Sequence, residues 1–219
     1  WPLYFRAYGE YKSPGQTYAM ALASLVSGTM NSSISRLPNA LFGIGILIVL
    51  YFTIAKLIPT STSLFRLLSV IVLGTSPWHF ALARVFYEAY GGTFWLSLSV
   101  LMIISSWRIP KRQNLFWTMG VITAILAGYW YPSLRYVSLG LLIIAQILSP
   151  FGGKIKLKQI LITLVLLITV GLGWVKELGS NAGLSRLRFY DAHVKTGQTL
   201  SIDEKRQFCY LSYDKNPLY

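Results

Sequence analysis

Long apolar runs separated by short polar connections occupy most of this chain. The stretches 37–57, 66–83, 91–107, 115–131, 134–150 and 159–175 are each apolar enough to cross a bilayer, near the lower end of the roughly 17–25 residues a membrane helix needs. Within hydrocarbon every backbone amide must be satisfied inside its own segment or in a closed barrel. Runs such as LFGIGILIVLYF and ILITLVLLITV lack the polar–apolar alternation of barrel strands, so the spans are expected to be helices. The pattern therefore predicts an all-α, polytopic transmembrane bundle of six spans over 37–175.

The ends read differently. Residues 1–16 (WPLYFRAYGEYKSPGQ) are rich in aromatics and turn formers, as expected of an interfacial belt. Residues 17–30 are apolar but too short for a span, and are expected to form a juxtamembrane helix lying on or dipping into the outer surface. Residues 1–36 then form an outer loop with that helix. Residues 176–219 are polar and are expected to be an outer-face loop or the start of a C-terminal outer region.

Composition supports the membrane reading. Hydrophobic residues make up 54% and charged residues 12%, where a soluble domain carries about 25% charged. Such hydrophobicity excludes disorder. Cys209 is the only cysteine, which excludes a disulfide scaffold, and with His79 and His193 it makes no Cys/His zinc set. The net charge of +13 would point to nucleic acid in a soluble protein. Here the basic residues fall in clusters between apolar runs, so no nucleic-acid partner is expected.

Those clusters encode orientation. Connections on one side hold Lys56, Arg66, Arg108, Lys111, Arg112, Lys154, Lys156 and Lys158, while those on the other hold only Arg84 and Arg135. By the positive-inside rule the first set is cytoplasmic. All the acids, Glu10, Glu88, Glu177, Asp191, Asp203, Glu204 and Asp214, then lie outside. An integral protein of a bacterial-type plasma membrane, with its chemistry on the outer face, is expected. The chain opens at Trp1 without a signal-peptide pattern, so it is expected to be an internal piece of a longer protein.

Three outer segments carry candidate chemistry. In Gly9-Glu10-Tyr11-Lys12-Ser13-Pro14, Pro14 suits the first turn of a helix. Lys12 lies at headgroup depth, as a snorkelling anchor or as a contact to a lipid phosphate. Ser76-Pro77-Trp78-His79 leads to Arg84 and Glu88, which at a spacing of four would share a helix face, as a structural ion pair or as part of a site. His79 is expected to be an interfacial or hydrogen-bonded residue rather than a metal ligand. Tyr129-Trp130-Tyr131-Pro132-Ser133-Leu134-Arg135-Tyr136 combines aromatics able to stack on a sugar with an arginine whose planar fork suits phosphate; a plain aromatic belt is the other reading. Asn31-Ser32-Ser33 matches a glycosylation sequon, a pattern common by chance. Gly43-Ile44-Gly45 and Gly171-Leu172-Gly173 lie in apolar runs and read as packing glycines.

Together, WPLYFRAYGEYKSPGQTY, SRLPNALFGIGILIVLYF, SPWHFALARVFYEA and YWYPSLRY resemble the large-clan (GT-C) membrane glycosyltransferases, specifically those similar to protein O-mannosyltransferases and aminoarabinose transferases. The resemblance runs through most of residues 1–150. It implies a multi-span helical enzyme that moves a sugar from a polyprenyl-phosphate donor to a protein, lipid or glycan acceptor on the outer face. It implies that Lys12 is the basic residue near the carrier phosphate and that Glu88, with Arg84, sits in the second outer loop near the active site. The family's acidic first-loop motif would precede Trp1, so the principal base is expected upstream.

Sugar transfer with inversion needs a carboxylate to take the acceptor's proton and positive charge to stabilise the departing phosphate. Glu88 and Glu10 are the candidate catalytic carboxylates. Lys12, Arg84 and Arg135 are the candidate phosphate ligands, and Tyr131 and Trp78 the candidate sugar-stacking surfaces. No cofactor is required by these residues, although a divalent metal is compatible with the chemistry. A transporter or flippase fragment for lipid-linked sugars is the competing class; such proteins set ionisable residues at mid-membrane, whereas here they gather outside the spans.

Overall fold

The computed structural model describes residues 5–7, 10–85, 87–150 and 153–174. The chain divides into two compact units, one comprising Trp1–Lys12 with Gly173–Tyr219 and the other Ser13–Leu172. The second unit is helical. The expected juxtamembrane stretch falls within this second unit. The expected outer loop 176–219 lies outside the described residues.

In the first unit the aromatic N-terminal stretch forms a short antiparallel hairpin. Strand β1 (Phe5–Ala7) pairs with β2 (Glu10–Lys12) in the register Phe5↔Lys12, Arg6↔Tyr11 and Ala7↔Glu10. The belt expected over residues 1–16 thus contains a local exception to the all-α reading.

The second unit starts with α1 (Pro14–Ser27). Ser13 is extended and Pro14 supplies a fixed φ in the first turn, while Gly28 ends the helix at φ 69, a left-handed conformation that costs a glycine little. Helix α2 (Ser32–Leu57) is capped by Asn31, whose side chain accepts from the amides of Ser33 at 3.1 Å and Ile34 at 2.9 Å. Thr62 caps α3 (Ser63–Gly74) by accepting from the Phe65 amide at 3.2 Å. Pro77 opens α4 (Pro77–Arg84), and α3 and α4 are bent by 62° across the intervening break. The single span expected over 66–83 is therefore two helices, because proline cannot continue the α3 ladder.

Helix α5 (Glu88–Arg108) has an acid in its first turn and a base in its last, matching the helix dipole. A 3₁₀ turn at Pro110–Arg112 leads into α6 (Gln113–Trp130), followed by α7 (Ser133–Ile147) and α8 (Gly153–Thr169).

Helix α6 is the centre of the bundle, with Trp117, Val121, Ala124, Ile125 and Ala127 fully buried. Small residues bring its neighbours close, as in membrane bundles generally. Ser99 Oγ of α5 donates to the Gly120 carbonyl at 2.7 Å, and Ser138 Oγ of α7 to the Ala124 carbonyl at 2.9 Å. The Trp117 indole N–H reaches Thr163 Oγ1 of α8 at 3.1 Å. Helices α2, α3, α7 and α8 turn large aliphatic side chains outward, and α3 buries none of its residues. Such faces suit hydrocarbon.

Among the described residues two helices, α2 with 26 residues and α5 with 21, are long and apolar enough to cross a membrane, as a membrane protein requires; α3 with α4 makes a third if counted as one broken span. All six apolar stretches fall on helices, but this count is below six. At 15 residues α7 extends only about 22 Å, against about 30 Å of hydrocarbon. The 18 residues of α6 begin with the polar pair Gln113 and Asn114.

Candidate functional site

The four stretches carrying the resemblance meet at one end of the Ser13–Leu172 unit, through Trp130 and two amide side chains, Gln16 and Asn39, that sequence reasoning did not single out. Gln16, in the first turn of α1, is 1% exposed, and Asn39 of α2 is 0% exposed. Gln16 Nε2 donates to Asn39 Oδ1 at 2.8 Å. Asn39 Nδ2 donates to the carbonyls of Val85 at 2.7 Å and Tyr87 at 3.1 Å. Trp130 Nε1, at the end of α6, donates to Gln16 Oε1 at 3.3 Å.

Each partner is where local sequence puts it. Pro14 starts α1, so Gln16 lies in the first turn. Asn39 follows Pro38 inside α2. The Trp130 ring fits because Gly15 and Gly91 leave room; a Cβ at either glycine would overlap the indole. Phe42 meets the indole edge-on with centroids 5.7 Å apart, and Trp95 tilts against it at 5.6 Å. Gly92 similarly admits Leu134 and Trp130, which brings the α6–α7 turn against the first turns of α5.

The structure corrects the expected geometry of Arg84 and Glu88. They do not share a helix face, because α4 ends at Arg84 and α5 begins at Glu88. Val85 (φ −107°, ψ 155°) and Tyr87 (φ −136°, ψ 113°) between them are extended. Arg84 is exposed and its guanidinium carbon lies 4.9 Å from the centroid of the Phe80 ring. Glu88 is half-buried at the first position of α5.

Arg135 is buried, 6% exposed, and its Nε donates to the Gly128 carbonyl at 3.1 Å. It thereby ties α7 to a carbonyl at the open C-terminal end of α6. Tyr131 follows α6 directly and is half-buried, whereas Trp78 is 79% exposed at the start of α4. His79 is buried and its Nδ1 lies 2.9 Å from the Tyr90 hydroxyl, the hydrogen-bonded role expected of it. Arg84, Glu88 and Arg135 thus flank two connections at the same end of the bundle. Glu10 and Lys12 lie on β2, in the other unit.

At the far end of α5, Arg108 donates from Nε to the Lys56 carbonyl at 3.0 Å and from Nη2 to the Leu57 carbonyl at 3.3 Å. Arg108 and Lys56 belong to the basic set grouped on one side from charge alone, and they meet at the opposite end of α5 from Glu88. Among the described residues no group of three or more His, Cys, Asp or Glu side chains is arranged to hold a metal ion.

Gln16 and Asn39 had a signal in sequence. Each is an uncharged amide close behind a proline at the edge of an apolar run, where burial without a partner would be costly. Compared with family models, curated proteins and solved structures, the chain matches none.

Proposed function

We propose that this chain is part of a membrane glycosyltransferase resembling the large-clan (GT-C) type, which moves a sugar from a polyprenyl-phosphate donor to an acceptor on the outer face of a plasma membrane. The observation that carries the reading is the meeting of the four family-like stretches through Gln16, Asn39, Trp130 and the residues between Arg84 and Glu88. In this reading all six apolar stretches are embedded in the bilayer, with α6, α7 and α8 as short or tilted spans.

The acceptor oxygen attacks the anomeric carbon as the bond from that carbon to the phosphate oxygen breaks. The phosphate leaves with the bonding electrons, and the acceptor proton passes to a carboxylate. Arg84 is the exposed cation best able to meet the phosphate, with Lys12 assigned the same role on resemblance. Arg135 contributes positive potential from the first turn of α7. Glu88 orients sugar or acceptor, Glu10 is a second carboxylate, and Tyr131 and Trp78 offer aromatic faces to the sugar. No step requires a metal.

One observation favours a second reading. The α3–α4 pair is a broken helix, and transporters build substrate sites at such breaks. Arg84 and Glu88 lie at the end of that pair rather than at its bend, which favours surface chemistry. The deciding experiment supplies the full-length protein in proteoliposomes with radiolabelled polyprenyl-phosphate sugar. Label bonded to an acceptor is expected. Movement of intact donor between leaflets without transfer would establish the transporter instead, and thiol labelling that put Lys12 and Glu88 on opposite faces would end the transferase reading.

A further inference from the structure

We propose that Gln16 and Asn39 are positioning residues that hold the start of α5, and with it the Glu88 carboxylate, in its working orientation; the inference rests on the transferase reading above. In an unbroken α4–α5 helix the Val85 carbonyl would accept the Ala89 amide four residues on. The break denies it that partner, and Asn39 Nδ2 takes the place at 2.7 Å. Its second hydrogen goes to the Tyr87 carbonyl at 3.1 Å, the residue that immediately precedes Glu88.

The chain of amides has one direction. Asn39 Oδ1 accepts from Gln16 Nε2, and Gln16 Oε1 accepts from Trp130 Nε1. Turning the Asn39 amide over would set its nitrogen against the Gln16 donor and its oxygen against two carbonyls. Every polar atom of Asn39 is thus committed, on a side chain that is itself fully buried. A buried amide left unmatched there loses its solvation with nothing in return, so the carbonyls before Glu88 are held in the arrangement that satisfies it. Trp130, wedged between Gly15 and Gly91, anchors the other end of the chain on α6.

The test uses the full-length protein with Asn39→Leu and Gln16→Leu, two variants that break different links, so that one remains informative if the other fails to fold. Ser138→Ala is the control, since it loses a buried hydrogen bond to the Ala124 carbonyl elsewhere in the bundle. Each amide variant is expected to lower kcat by up to about 10²-fold, the scale set by an ångström of misplacement, with KM for the donor nearly unchanged. Ser138→Ala is expected to lose stability without that loss of kcat. In parallel, Glu88→Cys in a Cys209→Ser background is labelled with a maleimide, with and without Asn39→Leu, and the labelling rate is expected to change severalfold. An unchanged labelling rate overturns the inference, as does a kcat loss no greater than that of Ser138→Ala. If the native protein transfers no sugar but the labelling rate changes, the transferase reading fails while the lock on the start of α5 stands.

Discussion

The indole N–H of Trp130 donates to the side-chain oxygen of Gln16 at 3.3 Å, across 114 positions of the chain. This bond ties the first helix of the bundle to the end of its central helix. Asn39 then carries the connection on to the residues that separate Arg84 from Glu88. The Val85 and Tyr87 carbonyls are held there by a side chain remote in sequence, while Tyr87 also accepts locally from the Tyr90 amide at 3.2 Å.

The space around Trp130 sets the first prediction. Gly91→Ala places a Cβ against the indole, and overpacking of this kind costs about 1–3 kcal/mol. Thermal unfolding in a fixed detergent should show the loss. Gly140→Ala in α7, where nothing lies within 4 Å of the added carbon, should be neutral or stabilising by up to about 1 kcal/mol through helix propensity.

The two arginines should separate cleanly. Arg84 is exposed and touches only an aromatic ring among its described contacts, so Arg84→Ala should change stability by less than about 1 kcal/mol. The same change should reduce sugar transfer by about 10²–10³-fold, the scale for removing one charge-stabilising donor. Arg135→Ala should do the reverse in stability, costing about 1–3 kcal/mol by leaving the Gly128 carbonyl without its buried donor. Paired melting curves and transfer assays distinguish the two.

Much of this arrangement is legible in the sequence. Pro14 marks the start of α1, and every long apolar run becomes helix. The bend between α3 and α4 was also signalled, by Pro77 within the second run. The break before Glu88 had no such sign, because ALARVFYEA contains neither glycine nor proline and a continuous helix is its natural local reading. The amide of Asn39, 46 positions from Val85, satisfies the carbonyl that the break leaves open; a contact of that range leaves no periodic trace. The hairpin at Phe5–Lys12 escaped for a related reason, since strands of three residues are too short for alternation to register.

On the opposite side of α6, Trp117 is fully buried with its indole N–H on Thr163. Thr163→Val preserves shape and removes the acceptor, and should cost about 1 kcal/mol. A double-mutant cycle with Trp117→Phe should return a coupling near 0.6 kcal/mol, the average for hydrogen bonds between membrane helices.

The start of α2 offers a local test. Asn31→Ala removes the acceptor shared by the Ser33 and Ile34 amides and should lower stability by about 1 kcal/mol, while Asn31→Asp should retain most of it. Hydrogen exchange at those two amides is the direct measurement: protection should fall with alanine and persist with aspartate.

Helix α3 has a further consequence. None of its residues is fully buried; it rests on α2 along one side, where Leu47 lies against Gly74, and in a bilayer acyl chains would cover the rest. The choice of detergent or nanodisc lipid therefore acts on this helix more than on α6, whose packing partners are supplied by the polypeptide itself. Solubilisation should loosen α3 first, and lipid thickness becomes a handle on the angle at which it meets α4.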